Sequence, residues 1–135
     1  MGDAVKTVRG MTEDAEAKLK EAGVANIDQF LQAGCDPATR KALAAKLGVD
    51  GKFLLELLNR ADLARVKGIG TVFANLLEEA GVDTVKELAT RVPANLHAKL
   101  EQVNEAKQLA HHVPNLEEVQ AWVAEAKELP KILTY

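Results

Sequence analysis

The sequence predicts an all-α protein, and three observations carry that expectation. Of its 135 residues 47% are hydrophobic but only 4% aromatic, so a core has to be assembled from Ala, Leu and Val. Helix-starting and helix-stopping residues recur along the whole length. No alternating apolar pattern long enough for a useful strand appears. A chain of this size falls in the range of one compact domain, able to bury a core without disulfides or metal, so residues 1–135 are expected to form a single domain.

The elements follow in order from their punctuation. Thr12 ahead of Glu13 and Asp14 is an N-cap followed by acidic first-turn residues, and the helix it opens should stop at Gly23. Asn26 caps a short helix through Leu31. Asp36-Pro37 places a cap before proline at the first helical position, and Gly48 closes that helix. Asp50 or Gly51 opens the next, in which Phe53, Leu54, Leu57 and Leu58 share one apolar face; it is expected to end near Asn59. A short helix from Ala61 then leads into a Gly68-Ile69-Gly70 turn. Phe73, Leu76, Leu77 and Ala80 line the following helix, which Gly81 ends. Thr84 to Arg91 gives another short helix. Pro93 or Asn95 starts a longer one expected to end before Pro114, and Asn115 caps a final helix through Leu129.

Charge and cysteine content limit the function classes. The formal net charge is −3, which argues against a large phosphate-binding surface and leaves room only for local contact with nucleic acid. The single Cys35 cannot form an intramolecular bridge, and Gly34 and Asp36 beside it offer nothing to stabilise a thiolate, so it reads as structural. Neither a secretory leader nor a membrane-spanning run is recognisable, which makes the cytoplasm the expected location and a membrane partner unexpected.

An internal repeat organises the chain. Setting Gly10 against Gly68, an offset of 68 − 10 = 58, also pairs Val8 with Val66, Arg9 with Lys67, Leu19 with Leu77 and Glu21 with Glu79. It continues with Ala22-Gly23-Val24 against Ala80-Gly81-Val82, and Ile27 against Val85. After a slip of two residues Pro37-Ala38 matches Pro93-Ala94. The expectation is two related halves, 1–58 and 59–135, packed as one helical domain because neither buries its apolar face alone.

The turn carries the functional signal. Leu63, Val66, Gly68, Ile69, Gly70, Ala74 and Leu77 resemble the helix-hairpin-helix pattern hxxhxGhGxxxAxxh, where h is apolar, at every specified position. Two glycines free the backbone, the apolar residue between them anchors the loop, and Ala74 admits close helix packing. Amides at the start of the second helix would then face outward as a small anion site. The resemblance implies sequence-independent contact with a DNA or RNA backbone, with Lys67, Gly68, Ile69, Gly70 and Thr71 as binding residues and Arg65 assisting. Arg60 adds charge nearby. Glu78 and Glu79 and the lack of Lys or Arg at Thr71, Val72 and Phe73 imply weak, salt-dependent affinity.

In the first half the second glycine has become Thr12, and Glu16 stands where Ala74 does. Thr12, Glu13 and Asp14 should cap that helix internally and repel phosphate, so this hairpin, reading 1–58 as a degenerate unit and 59–135 as the intact one, is expected to be structural. The acidic balance and the apolar Val72-Phe73 pair support an alternative, a protein-interaction or assembly module.

Over nearly its full length the chain is similar to an uncharacterised prokaryotic family, domain of unknown function 4332, whose members look like paired helix-hairpin-helix proteins. The residues that carry this are Ala61-Asp62-Leu63, Arg65 to Gly70, Leu76 to Val85, Pro93-Ala94-Asn95-Leu96 and the ending Trp122 to Tyr135. The resemblance implies the fold and a comparison with the hairpin region of flap-type nucleases. The carboxylate cluster that holds metal in such nucleases has no counterpart here.

Other constellations do not assemble. His111 and His112 are adjacent on different sides of a helix and His97 is distant, so neither metal nor cofactor is expected. No nucleophile-base pattern stands out, and a non-catalytic role is expected. Glu117, Glu118, Glu125 and Glu128 recur at the spacing of a solvated helix face. Leu116, Val119, Trp122 and Val123 form an apolar stripe expected to dock on the core.

Overall fold

A computed structural model describes residues 4–135, apart from the side chain of Thr71. Its order is α1 (Glu13–Glu21), α2 (Ile27–Ala33), α3 (Pro37–Leu47), α4 (Gly51–Ala64), α5 (Thr71–Glu79), α6 (Val85–Ala89), α7 (Pro93–Lys107) and α8 (Leu116–Glu128), preceded by one 3-10 turn at Val5–Thr7. Among the described residues there is no strand; an isolated bridge joins Ala4 and Asn26. The fold is all-α, and no described helix is long and apolar enough to cross a membrane.

The helix starts follow their local chemistry. Thr12, Asn26, Asp36, Thr84 and Asn115 each accept a bond from the amide three residues on, and Asn26, Asp36 and Asn115 complete capping boxes with Gln29, Thr39 and Glu118. Two boundaries differ from expectation. α4 runs unbroken from Gly51 to Ala64, because Asn59 and Arg60 supply neither a glycine stop nor a proline, and Leu54, Leu57, Leu58 and Ala61 keep one buried face through that point. α7 ends earlier, at Lys107. Gln108 takes a left-handed conformation there, and the Asn104 side chain accepts from the Ala110 amide at 2.9 Å and donates to its carbonyl at 3.1 Å, holding the loop toward Pro114.

The chain divides into two compact units, Met1–Arg65 with Lys131–Tyr135, and Val66–Pro130. In the first, α4 packs against α2 and α3, and α3 also meets α1. Leu19, Ile27, Phe30, Leu31, Leu43, Leu47, Leu54, Leu57 and Leu58 form its core together with Leu133 from the chain's end. In the second, α8 lies on α6 and α7, and α5 on α7. Leu76, Leu77, Val82, Leu88, Leu96, Leu100, Val119, Trp122 and Val123 are buried there. Trp122 is 3% exposed, so the α8 stripe docks on a core as its spacing implied, although Leu116 at the start of that stripe is 38% exposed.

Candidate functional site

The Gly68-Ile69-Gly70 turn begins the second unit. Val66 and Ile69 are buried, and the Ile69 amide donates to the Val66 carbonyl at 3.1 Å, closing a tight reversal around Lys67 and Gly68. Gly68 has φ +88°, and a Cβ placed on it would meet Trp122 Nε1 at 3.2 Å. Glycine is thus required twice, by backbone angle and by the indole against it.

Gly70 differs. It is the N-cap of α5 with φ −91° and ψ −173°, extended backbone open to any residue, and a Cβ there would meet nothing within 4 Å. The expectation that both glycines serve forbidden angles therefore holds for Gly68 and not for Gly70. α5 starts with no side-chain cap and no acidic residue in its first turn. Its leading amides and dipole end thus lack the internal acceptors that other helices of the chain carry.

The corresponding stretch of the first unit is built otherwise. Gly10 has φ +91°, and the Met11 amide donates to the Val8 carbonyl at 3.0 Å. Thr12 then caps α1 by accepting from the Ala15 amide at 3.1 Å, and Glu13, Asp14 and Glu16 fill the first turn. Arg60 donates through Nη1 to the Arg9 carbonyl at 2.9 Å, where a side chain on Gly10 would collide with it at 2.7 Å. Arg60, read from the sequence as charge for the second turn, thus braces the first.

The remaining site residues fall out as follows. Lys67 is exposed. Arg65, which ends the first unit, turns its guanidinium to Asp62, with Nε and Nη2 donating to Oδ1 at 3.0 and 2.7 Å; these side chains are 9% and 7% exposed. Thr71 opens α5, and its side chain lies outside the described residues. Val72 is 52% exposed, while Phe73 is half-buried, its ring 5.5 Å from Trp122 and 5.6 Å, edge to face, from His112.

Sequence reasoning missed one residue at the turn. The Lys67 amide donates to Glu125, at 3.0 Å to Oε2 and 3.2 Å to Oε1, and Glu125 is half-buried. Glu125 therefore does not belong to the solvated face of α8, where Glu117, Glu118 and Glu128 are exposed. The only available hint was its position three residues after Trp122, which places both on one side of α8.

These features define a small all-helical protein in which a glycine turn, stapled by one helix, feeds an uncapped second helix. The chain belongs to the family described as a domain of unknown function (DUF4332), whose model matches residues 9–129. Neither curated proteins nor solved structures give a match.

Proposed function

We propose that the chain is a non-catalytic binding module that contacts the backbone of DNA or RNA without reading sequence, through Lys67, Gly68, Ile69, Gly70 and Thr71. The observation that carries this reading is Gly70. Neither its φ nor its surroundings call for glycine, and a threonine in its place would cap α5 as Thr12 caps α1. A bare N-cap with no acidic first turn keeps the leading amides accessible to an outside phosphate. The shared landmarks of the two stretches, Gly10 with Gly68 and Gly23 with Gly81, all at positive φ, support reading them as paired helix-hairpin-helix units. In that reading the first is given over to structure. With Arg65 held by Asp62, side-chain charge comes from Lys67, and affinity is weak and steeply salt-dependent.

Fluorescence anisotropy with short single- and double-stranded oligonucleotides tests this. Binding is expected at ~50 mM salt and should fade as salt rises. Gly70→Thr should raise stability by a few tenths of a kcal/mol through its new cap, yet weaken binding; silence of the wild-type chain and of every variant at low salt sinks the proposal.

Val72, exposed beside the turn, favours a second reading as a protein-interaction or assembly module. That reading expects self-association by light scattering, lost in Val72→Ser. A monomer with salt-sensitive oligonucleotide binding removes it.

A further inference from the structure

The turn already holds an anion of its own. Glu125 reaches from α8 to the Lys67 amide with both carboxylate oxygens, at 3.0 and 3.2 Å. Its position is fixed rather than incidental. One turn earlier on α8, the Trp122 indole lies against the bare Cα of Gly68, and Phe73 of α5 packs on the same ring. Gly68, Trp122 and Glu125 thus form a staple in which the glycine lets α8 approach and the approach delivers the carboxylate. Donation from a backbone amide to an ionised acceptor is among the stronger kinds of hydrogen bond.

That carboxylate lies three residues before the N-cap of α5, at the same end of the helix where phosphate would bind. Resting on the nucleic-acid reading above, we propose that Glu125 is a tethered counter-anion that sets the specificity of the turn. It satisfies the Lys67 amide, confines an incoming phosphate to the amides from Gly70 onward, and opposes that phosphate by like charge. The ligand favoured under this arrangement is a polyanion that makes several contacts at once, such as a nucleic-acid strand, over a lone phosphate or a single carboxylate, whose one contact is offset by the resident charge.

Oligonucleotide and inorganic phosphate titrations of wild type, Glu125→Gln, Glu125→Ala and Glu128→Gln, at ~50 mM salt, test the proposal. Gln keeps an acceptor for the Lys67 amide and removes the charge; Glu128→Gln removes the same charge from the exposed face of α8. Trp122, the chain's one tryptophan, reports through its emission whether the staple stays closed. Glu125→Gln is expected to keep the wild-type emission and gain roughly three- to tenfold in oligonucleotide affinity, with phosphate binding gaining at least as much. Glu128→Gln should stay within about twofold of wild type by the same screening argument. If Gln opens the turn, Glu125→Ala, with folding checked by circular dichroism, carries the same expectation of tighter binding.

A wild type that binds while both Glu125 variants match it, or match Glu128→Gln, overturns the counter-anion role and leaves the nucleic-acid reading standing. A silent wild type with a binding Glu125→Gln supports both. Silence of all four overturns both.

Discussion

At the scale of single residues, the two glycines of the turn separate packing from access. Replacing Gly68 with alanine puts a Cβ at φ +88° and within 3.2 Å of Trp122 Nε1, so a loss of about 1–3 kcal/mol is expected, read from urea unfolding together with a shift in Trp122 emission. Alanine at Gly70 meets neither obstacle and should leave the Trp122 emission unchanged. Sequence reasoning found both glycines because their spacing is local, but it assigned them one role. Their roles diverge through α8, whose Trp122 lies 54 positions beyond Gly68 (122 − 68), and no spacing rule reports which turn a distant helix covers. The same blindness hid Glu125, and it hid the commitment of Arg65 to Asp62, since a basic residue beside a turn looks available until its rotamer is seen.

At the scale of elements, helix starts were legible because a cap is a contract between residues three apart. α3 gives this a pH signature. The Asp36 carboxyl is held below its ordinary 3.8 by the Thr39 amide first and then by the Thr39 hydroxyl, with Arg40 adding a smaller pull. A carboxyl lowered on folding stabilises the fold above its unfolded value, and that contribution disappears as pH falls from 3.8 through the lower folded value. Asp36→Asn keeps a capping oxygen without the titration. It should therefore flatten the stability curve in that acid window, measured by thermal melts between neutral pH and the window, and change it little at neutral pH. Helix ends were less legible. α4 passes Asn59 because its buried Leu57, Leu58 and Ala61 outweigh the indifferent helix propensity of one asparagine. α7 stops at Lys107 because of the Asn104 bonds to Ala110, a tertiary-like clasp that no stop residue announces.

At the scale of the whole molecule, the all-α class followed from composition, whereas the path of the chain did not. After the second unit, residues 131–135 return to complete the first. Leu133 is buried in its core, the Thr134 amide donates to the Cys35 carbonyl at 2.7 Å, and Arg40, itself buried, donates to the Thr134 carbonyl at 2.5 Å. The same guanidinium stands 5.4 Å from the centre of the Tyr135 ring, whose hydroxyl donates to Asn59 at 2.6 Å. Five residues with no helical period give pattern reading nothing to work on, yet their removal would open a core and strip a buried arginine of one acceptor. Leu133→Ala should cost about 2–3 kcal/mol, and deletion of residues 131–135 more. The consequence is confined to one unit: Trp122 belongs to Val66–Pro130, while the core that Leu133 enters belongs to the other. Far-UV circular dichroism follows both units, and Trp122 emission follows the second alone. In wild type the two signals should lose structure together if the chain folds as the single domain expected from its length. In the truncated chain the dichroism transition should move to lower urea ahead of the Trp122 transition. Equal displacement of both would mean that the stability of the second unit depends on the tail as fully as the first does, and that the two compact units unfold as one.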